Sequence, residues 1–255
     1  MFRTIYFTVS LAAYLVASPL KMIKYRRIKK TDMEKADEYA RKTVGHFGRF
    51  VTRKAGIKVR IQGLEKIPGE ACLFIGNHQS DFDIPVGLGH FGRTPAFLAK
   101  IETKKIPIVR KWMELIYCVF IDRSDIRQSI ECLNKSAQLL KEGKSMVIFP
   151  EGTRSKGGPI KPFKQGSVKV ALKAEVPVVP FVMEGSYRAF EGNKGFRIKK
   201  TEINVKFLDP LYIKDMDAEQ KKNLGETIFK LICENIDEKY RPAEKTEGAE
   251  EKSEK

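Results

Sequence analysis

Six short apolar segments constrain the fold of this chain more than any other feature of its sequence. They are IKVRIQG (57–63), ACLFI (71–75), CVFI (118–121), SMVIF (145–149), VPVVPFV (176–182) and TEINVKFL (201–208). The first and last alternate apolar and polar residues as half-buried strands do, whereas the other four are almost continuously apolar, which is typical of strands covered on both faces. Helical patterns lie between them, and the clearest covers residues 124–143. Strands that alternate with helices predict an α/β domain with a mostly parallel or mixed central sheet flanked by helices.

The N-terminus has a different pattern. Residues 4–20 carry no charge, and the next ten, 21–30, include six basic residues. As an α-helix with a rise of ~1.5 Å per residue, residues 4–20 would extend ~25 Å, slightly less than the ~30 Å hydrocarbon core of a bilayer. Three interpretations are open: a cleaved secretory signal, a buried core helix, and an uncleaved anchor that enters one leaflet or just spans the bilayer. The basic residues follow the apolar segment, which favours the anchor.

Residues 31–51 predict a second N-terminal helix, because apolar residues recur every three or four positions and Thr31 and Glu34 match a capping box. Its apolar side would either pack on the domain or continue the membrane-facing surface. We therefore expect residues 1–55 to form a pair of membrane-associated helices and residues 56–240 to form the α/β domain. Residues 241–255 have almost no apolar side chains and predict a disordered charged tail.

The charge of the chain predicts an anionic partner. Lys and Arg number 48 against 32 Asp and Glu, and the formal net charge is +16. Such an excess suits an anionic membrane surface, a phosphate-bearing substrate, an acidic protein or nucleic acid. A membrane-tethered nucleic-acid-binding module is the remote alternative. We expect no nucleic-acid partner, because aromatic residues are not interleaved with the basic runs and no recognition motif is present.

Several motifs of cofactor and metal chemistry are absent from the sequence. The four cysteines lack the spacing of metal ligands, and the three histidines match no zinc motif. The segment GKS at 143–145 lacks the first glycine of a P-loop, and no G-x-S-x-G nucleophile motif occurs. We expect no metal and no bound cofactor.

Ionisable residues crowd the segment GNHQSDFD (76–83), directly after the second predicted strand. Four residues separate His78 from Asp83, and a loop between a strand and a helix can return the carboxylate to an imidazole nitrogen. The carboxylate would then fix the tautomer and leave the other nitrogen free to accept a proton. Ser80 and Asp83 also match the S-x-x-D pattern of a helix cap, and Asp81 could cap the same helix. This segment alone leaves the catalytic and the capping interpretations open.

Two arginine-containing loops follow other predicted strands. The loop after SMVI contains Glu151, Gly152, Thr153 and Arg154. The loop after CVFI contains Arg123. Glycine allows close backbone approach, and amides, a hydroxyl and a guanidinium suit a phosphate. Because functional groups gather at the carboxyl ends of parallel strands, the two loops predict one anion pocket beside His78.

With these motifs the chain resembles the glycerophosphate acyltransferase family. The matching blocks, in order, are NHQSDFD, VFIDR, FPEGTRS and VPVVPF, and the segments FLAK and FKQG also fit. The resemblance covers about residues 55–210, and it leaves the N-terminal helices and the tail outside. One departure is slight: Cys118 stands where many members carry glycine, which affects packing more than chemistry.

The resemblance implies a reaction and roles for the residues. Neutral His78, oriented by Asp83, would take the proton of the sn-2 hydroxyl of lysophosphatidic acid, which attacks an acyl thioester to give phosphatidic acid. Arg123 and Arg154 would hold the phosphate, and Glu151, Gly152 and Thr153 would shape their loop and belong to the same phosphate-binding site. Of Lys100, Lys104 and Lys105, which could each add positive charge, Lys105 is our candidate.

The resemblance also implies partners and a location. The acyl donor would be an acyl carrier protein or coenzyme A thioester, and the basic face favours the acidic carrier protein. Glycerol 3-phosphate or another lysophospholipid is the alternative acceptor. We expect the protein at the cytoplasmic face of the inner membrane, attached to its anionic surface by a monotopic or single-span anchor.

Overall fold

The computed structural model describes residues 1–243, so residues 244–255 of the predicted tail lie outside the described residues. The helices are α1 (Phe2–Lys29), α2 (Met33–Ala55), α3 (Asp83–His90), α4 (Pro107–Leu115), α5 (Ile126–Lys141), α6 (Gln165–Ala174) and α7 (Ala218–Asn235). The strands are β1 (Ile57–Gln62), β2 (Leu73–Gly76), β3 (Ala96–Lys100), β4 (Val119–Ile121), β5 (Met146–Ile148), β6 (Val178–Glu184) and β7 (Thr201–Phe207).

The strands form one mixed sheet in the order β1-β7-β6-β2-β5-β3-β4. Neighbouring strands are parallel at every position except the antiparallel pair β6 and β7. The predicted fold class, a central sheet flanked by helices, is confirmed. Strands β6, β2, β5, β3 and β4 all run in the same direction, so the loops that follow them leave from one edge of the sheet.

The sheet separates two apolar layers, which explains why its central strands are continuously apolar. Side chains alternate across a strand, so Leu73 and Ile75 of β2 pack on one side with α5, α6 and α7. Phe74 points to the other side and packs with residues of α2, α3 and α4. All four residues of β2 are buried.

Helix α2 belongs to this core, which resolves the two alternatives for its apolar side in favour of packing on the domain. Val44 and Val51 are buried in the same layer as Phe74. Its N-cap is Asp32, whose Oδ1 accepts from the backbone amide of Lys35 at 2.9 Å. The predicted cap at Thr31 is wrong, because that hydroxyl donates to the carbonyl of Ile28 at the end of α1.

Helix α1 is continuous through both the apolar and the basic segment, and its 28 residues extend about 42 Å. It is the one helix among residues 1–243 with the length and composition to cross a membrane. Only 6% of its most apolar window is buried, so the interpretation as a core helix is wrong. Its exposed apolar side chains are Phe2, Ile5, Tyr6, Val9, Val16, Leu20 and Ile23.

Polar contacts fix this N-terminal pair of helices to the domain. The indole of Trp112 in α4 donates to the hydroxyl of Ser18 in α1 at 3.0 Å, and both side chains are buried. Asp37 of α2 accepts from Lys144 at 3.2 Å and from the hydroxyl of Tyr117. The two helices are therefore attached to the α/β domain by apolar packing and by hydrogen bonds.

Candidate active site

The loop between β2 and α3 folds His78 onto Asp83. Nδ1 of the imidazole lies 2.7 Å from Oδ2 of the carboxylate. The same oxygen accepts from the backbone amides of Gln79 at 2.7 Å and Ser80 at 2.9 Å. No side-chain oxygen caps α3, so the structure favours the pairing with His78 over the capping interpretation. An Nδ1–H that donates to Asp83 leaves Nε2 as a proton acceptor.

Two residues of the loop after β5 hold His78 in place. The ring of Phe149 stacks on the imidazole, with the ring centroids 4.1 Å apart and an interplanar angle of 11°. Oε1 of Glu151 accepts from the backbone amide of His78 at 2.7 Å, and Oε2 accepts from that of Lys161 at 3.0 Å. Burial raises the pKa of Glu151. Both of its oxygens are thus used within the protein, and Glu151 shapes the loop instead of facing a phosphate.

A cleft of about 670 Å³ opens beside His78 at the carboxyl ends of the strands. Its lining includes Lys100, Arg123, Gly152, Thr153, Arg154 and Lys164. The structure therefore brings both predicted arginines into one cleft with His78. Burial lowers the pKa of the Arg123 guanidinium, which still leaves it charged at neutral pH.

Of the three lysines considered from the sequence, Lys100 lines the cleft, whereas our candidate Lys105 does not. Lys105 is exposed on a short turn of 3-10 helix, residues 101–105, and is not part of the lining. Lys164 lines the cleft and lies beside Gly152, where an added Cβ would come within 3.1 Å of its Cε. Gly152 has a φ of 70°, which favours glycine, so it both turns the loop and leaves room for this lysine. The sequence prediction missed Lys164, although this residue lies in the segment FKQG of the family resemblance.

Arg154 is held by two carboxylates. It contacts Asp81, and its Nη1 lies 3.1 Å from Oε1 of Glu191. Glu191 also accepts from the hydroxyl of Ser80 at 2.6 Å and from the amide of Asp81 at 2.8 Å. Burial raises the pKa of Asp81, an effect that Arg154 opposes. Because β6 and β5 flank β2, the loops that carry Glu191 and Arg154 meet over the loop of His78.

Two apolar spaces adjoin the cleft. The first, which we call the inner cavity, lies between α1, α2, α3 and α4 and is lined by Tyr14, Leu15, Val44, Phe47, Leu88, Trp112 and Ile116. It shares Ile84, Phe97, Val109 and Met113 with the cleft. The second, the α1 groove, has a volume of about 590 Å³ and is lined by Thr4, Phe7, Thr8, Leu11, Phe82, Pro85 and Phe190. It shares Asp81 and Ile84 with the cleft.

The site defines a class of enzyme. A buried carboxylate orients a histidine that borders a cationic cleft, and apolar spaces extend from that cleft. Such a site suits a transferase that activates a hydroxyl group on an anionic, amphipathic substrate. Within residues 1–243 no group of three or more His, Cys, Asp or Glu residues is arranged to hold a metal ion.

Comparison with known proteins identifies the family. The family model described as Acyltransferase matches residues 58–184, from β1 to the end of β6. The chain is 34% identical over 190 residues to the probable 1-acyl-sn-glycerol-3-phosphate acyltransferase of Mycoplasma pneumoniae, covering 70% of this chain and 71% of the relative. It is 32% identical over 200 residues to the 1-acyl-sn-glycerol-3-phosphate acyltransferase of Cocos nucifera, covering 78% and 64%.

A solved structure agrees with this result. The 1-acyl-sn-glycerophosphate acyltransferase PlsC of Thermotoga maritima superposes with a TM-score of 0.80 at 30% identity, covering 93% of this chain and 94% of that protein. The chain belongs to the acyltransferase family and is an acyltransferase.

Proposed function

We propose that this acyltransferase moves an acyl chain from a thioester to the sn-2 hydroxyl of 1-acyl-sn-glycerol 3-phosphate, forming phosphatidic acid. The observation that carries the proposal is the 2.7 Å contact between Nδ1 of His78 and Oδ2 of the buried Asp83, beside a cationic cleft. The names of the relatives specify the same acceptor.

In the proposed mechanism His78 acts as a general base and then as a general acid. Nε2 takes the hydroxyl proton as the oxygen attacks the thioester carbonyl, and the imidazolium formed is stabilised by Asp83. The tetrahedral intermediate then collapses, the carbon–sulfur bond breaks, and the imidazolium returns the proton to the leaving thiolate. A positioned base of this kind contributes about 10²- to 10⁴-fold to the rate. The reaction needs no covalent intermediate on the enzyme.

The acceptor phosphate binds the cationic side chains of the cleft. Arg154, Arg123 and Lys164 all line it, and guanidinium groups bind phosphate oxygens in a bidentate manner. Glu191 accepts a hydrogen bond from Arg154 and so holds its side chain in place before the substrate binds. The guanidinium therefore loses less conformational entropy when the phosphate binds. The inner cavity supplies an apolar environment for an acyl chain close to His78.

The donor is proposed to be an acyl carrier protein thioester, with the coenzyme A thioester as the other candidate. Lys100 at the cleft, together with Lys104 and Lys105 in the exposed turn that follows, presents positive charge to an acidic carrier. The exposed apolar side of α1, followed by its basic end, supports attachment to the cytoplasmic face of an anionic inner membrane.

One experiment tests the reaction. The purified protein in detergent is given 1-acyl-sn-glycerol 3-phosphate, glycerol 3-phosphate or a lysophospholipid with a larger head group, each with either donor, and the lipid products are identified by mass spectrometry. We expect phosphatidic acid from the first acceptor in the wild-type protein and none in His78→Ala. Wild-type turnover by His78→Ala would contradict the base mechanism, and preference for another acceptor would contradict the substrate.

A further inference from the structure

Ile84 marks the junction of three spaces in this molecule. It follows Asp83 directly, is half-buried, and lines the cleft, the inner cavity and the α1 groove. Phe47 and Leu88 line both the inner cavity and the α1 groove, so they form the wall between them. Two separate apolar spaces thus lie on either side of one wall, and both adjoin the cleft next to the catalytic pair.

We propose that the α1 groove binds the acyl chain already present on the acceptor lipid. This proposal rests on the proposed function. A reaction between an acyl thioester and a single-chain phospholipid brings two hydrocarbon chains to one histidine at the same time. Apolar chains bind in apolar, concave surfaces, and the inner cavity and the α1 groove are two such surfaces beside the cleft.

The position of the side chains proposed to bind the phosphate assigns the α1 groove to the acceptor lipid. Asp81 lines both the groove and the cleft, and Arg154 contacts Asp81. A phosphate on Arg154 therefore places the lipid next to the end of the groove. Phe190, in the loop after β6, forms another part of the groove wall. The acceptor chain leaves the cleft on this side.

The inner cavity adjoins the cleft on the side opposite to the α1 groove. Its shared residues Phe97, Val109 and Met113 belong to β3 and α4. In the sheet order, β3 and β6 lie on opposite sides of the central pair β2 and β5. A chain in the α1 groove and a chain in the inner cavity would thus reach His78 from two directions.

The α1 groove also adjoins the surface from which a membrane lipid would enter. One wall is formed by α1 through Thr4, Phe7, Thr8 and Leu11. Other side chains of the same helix, including Val9 and Val16, are exposed and apolar. A lipid resident in a membrane can therefore move from the apolar surface of α1 into the groove without exposing its chain to water.

The test fills the groove without removing core contacts. Thr8 lines the groove and is exposed, so the indole of Thr8→Trp would occupy space that the acceptor chain needs. Val9→Trp is the matched control, because Val9 is the next residue of α1, is 61% exposed and is not part of the groove lining. KM is measured for palmitoyl and hexanoyl lysophosphatidate and for long-chain and short-chain donors.

We expect Thr8→Trp to raise KM for the palmitoyl acceptor by about tenfold relative to Val9→Trp, since each buried methylene contributes about fourfold to affinity. KM for the hexanoyl acceptor should change by less than about twofold, and the donor constants should not depend on the substitution. Equal changes for both acceptors, no change for either, or a changed dependence on donor chain length would each overturn the assignment.

A binding measurement separates this inference from the proposed reaction. Trp112 is the only tryptophan and lies in the inner cavity, so Phe7→Trp in a Trp112→Phe background places the sole indole in the groove. A brominated chain on lysophosphatidate should quench this indole more strongly than that of Val9→Trp in the same background. Equal quenching refutes the groove assignment even in an active enzyme. Selective quenching supports the groove even if the lipid is not acylated.

Discussion

Replacing Asp83 with asparagine removes one negative charge from the active site and keeps the shape of the side chain. Oδ2 of Asp83 accepts from His78 and from the amides of Gln79 and Ser80, whereas Oδ1 is buried with no hydrogen-bond partner among the described residues. In Asp83→Asn the amide oxygen should occupy the position of Oδ2. The reverse orientation would leave the backbone amides of Gln79 and Ser80 without an acceptor, which costs about 1–3 kcal/mol for each. The preferred orientation leaves only the new side-chain NH₂ group without an acceptor.

This orientation preserves the tautomer of His78, so the variant should lose only the charge that stabilises the imidazolium. With the charge centres roughly 4 Å apart and an effective dielectric constant of ~20, that attraction is about 4 kcal/mol, an upper limit of about 10³-fold in kcat. We therefore expect Asp83→Asn to reduce kcat by about 10²- to 10³-fold while remaining more active than His78→Ala.

The assay is kcat at saturating donor and acceptor, with a thermal unfolding curve for each variant and ¹⁵N NMR of the imidazole to identify the protonated nitrogen. The expected signal is Nδ1–H in both the wild type and Asp83→Asn. If Asp83→Asn is as inactive as His78→Ala, or if its proton is on Nε2, the amide has the opposite orientation and this reasoning is refuted.

Three further predictions concern the phosphate and the membrane. Arg154→Lys keeps the charge but loses the bidentate fork, so KM for the acceptor should rise about tenfold and KM for the donor much less; equal effects would argue against a phosphate site. Lys164→Ala should raise KM for the acceptor more than Lys105→Ala does, because Lys164 lines the cleft and Lys105 does not, and the reverse order would contradict that placement. Val16 is 80% exposed, so Val16→Glu should weaken sedimentation with anionic vesicles and leave the melting temperature unchanged. A high-salt wash should not release the wild-type protein from the vesicles. Release by salt alone would exclude an apolar anchor.

Most of the sheet could be predicted from the sequence, because six of its strands are apolar or alternating segments. Strand β3 was missed. Its sequence AFLAK has two alanines and no β-branched residue, and it ends in an exposed lysine. It becomes a strand because β5 and β4 pair with it on both sides, which is tertiary context and leaves little trace in a five-residue segment.

Only part of the candidate active site could be predicted from the sequence. His78 lies in the loop that ends at Asp83, the first residue of α3, so their spacing alone could indicate their contact. Glu191 follows β6, lies in no motif, and reaches Arg154 only through the order of strands in the sheet. The choice of Lys164 over Lys105 depends on the path of the loop after β5. These contacts are between residues distant in sequence, and a charged side chain at the surface looks the same in sequence whether or not it lines a cleft.

The shared core of α2 and the sheet has a mechanical consequence. Val44 and Val51 of α2 are packed in the same layer as Phe74, and Ser18 of α1 accepts a hydrogen bond from Trp112, so both N-terminal helices are attached to the α/β domain. If α1 is embedded in a bilayer, as proposed above, the depth of α1 sets the height of His78 relative to the lipid surface. Catalysis should then respond to bilayer thickness and lipid packing even when the chemistry of the substrates is held constant.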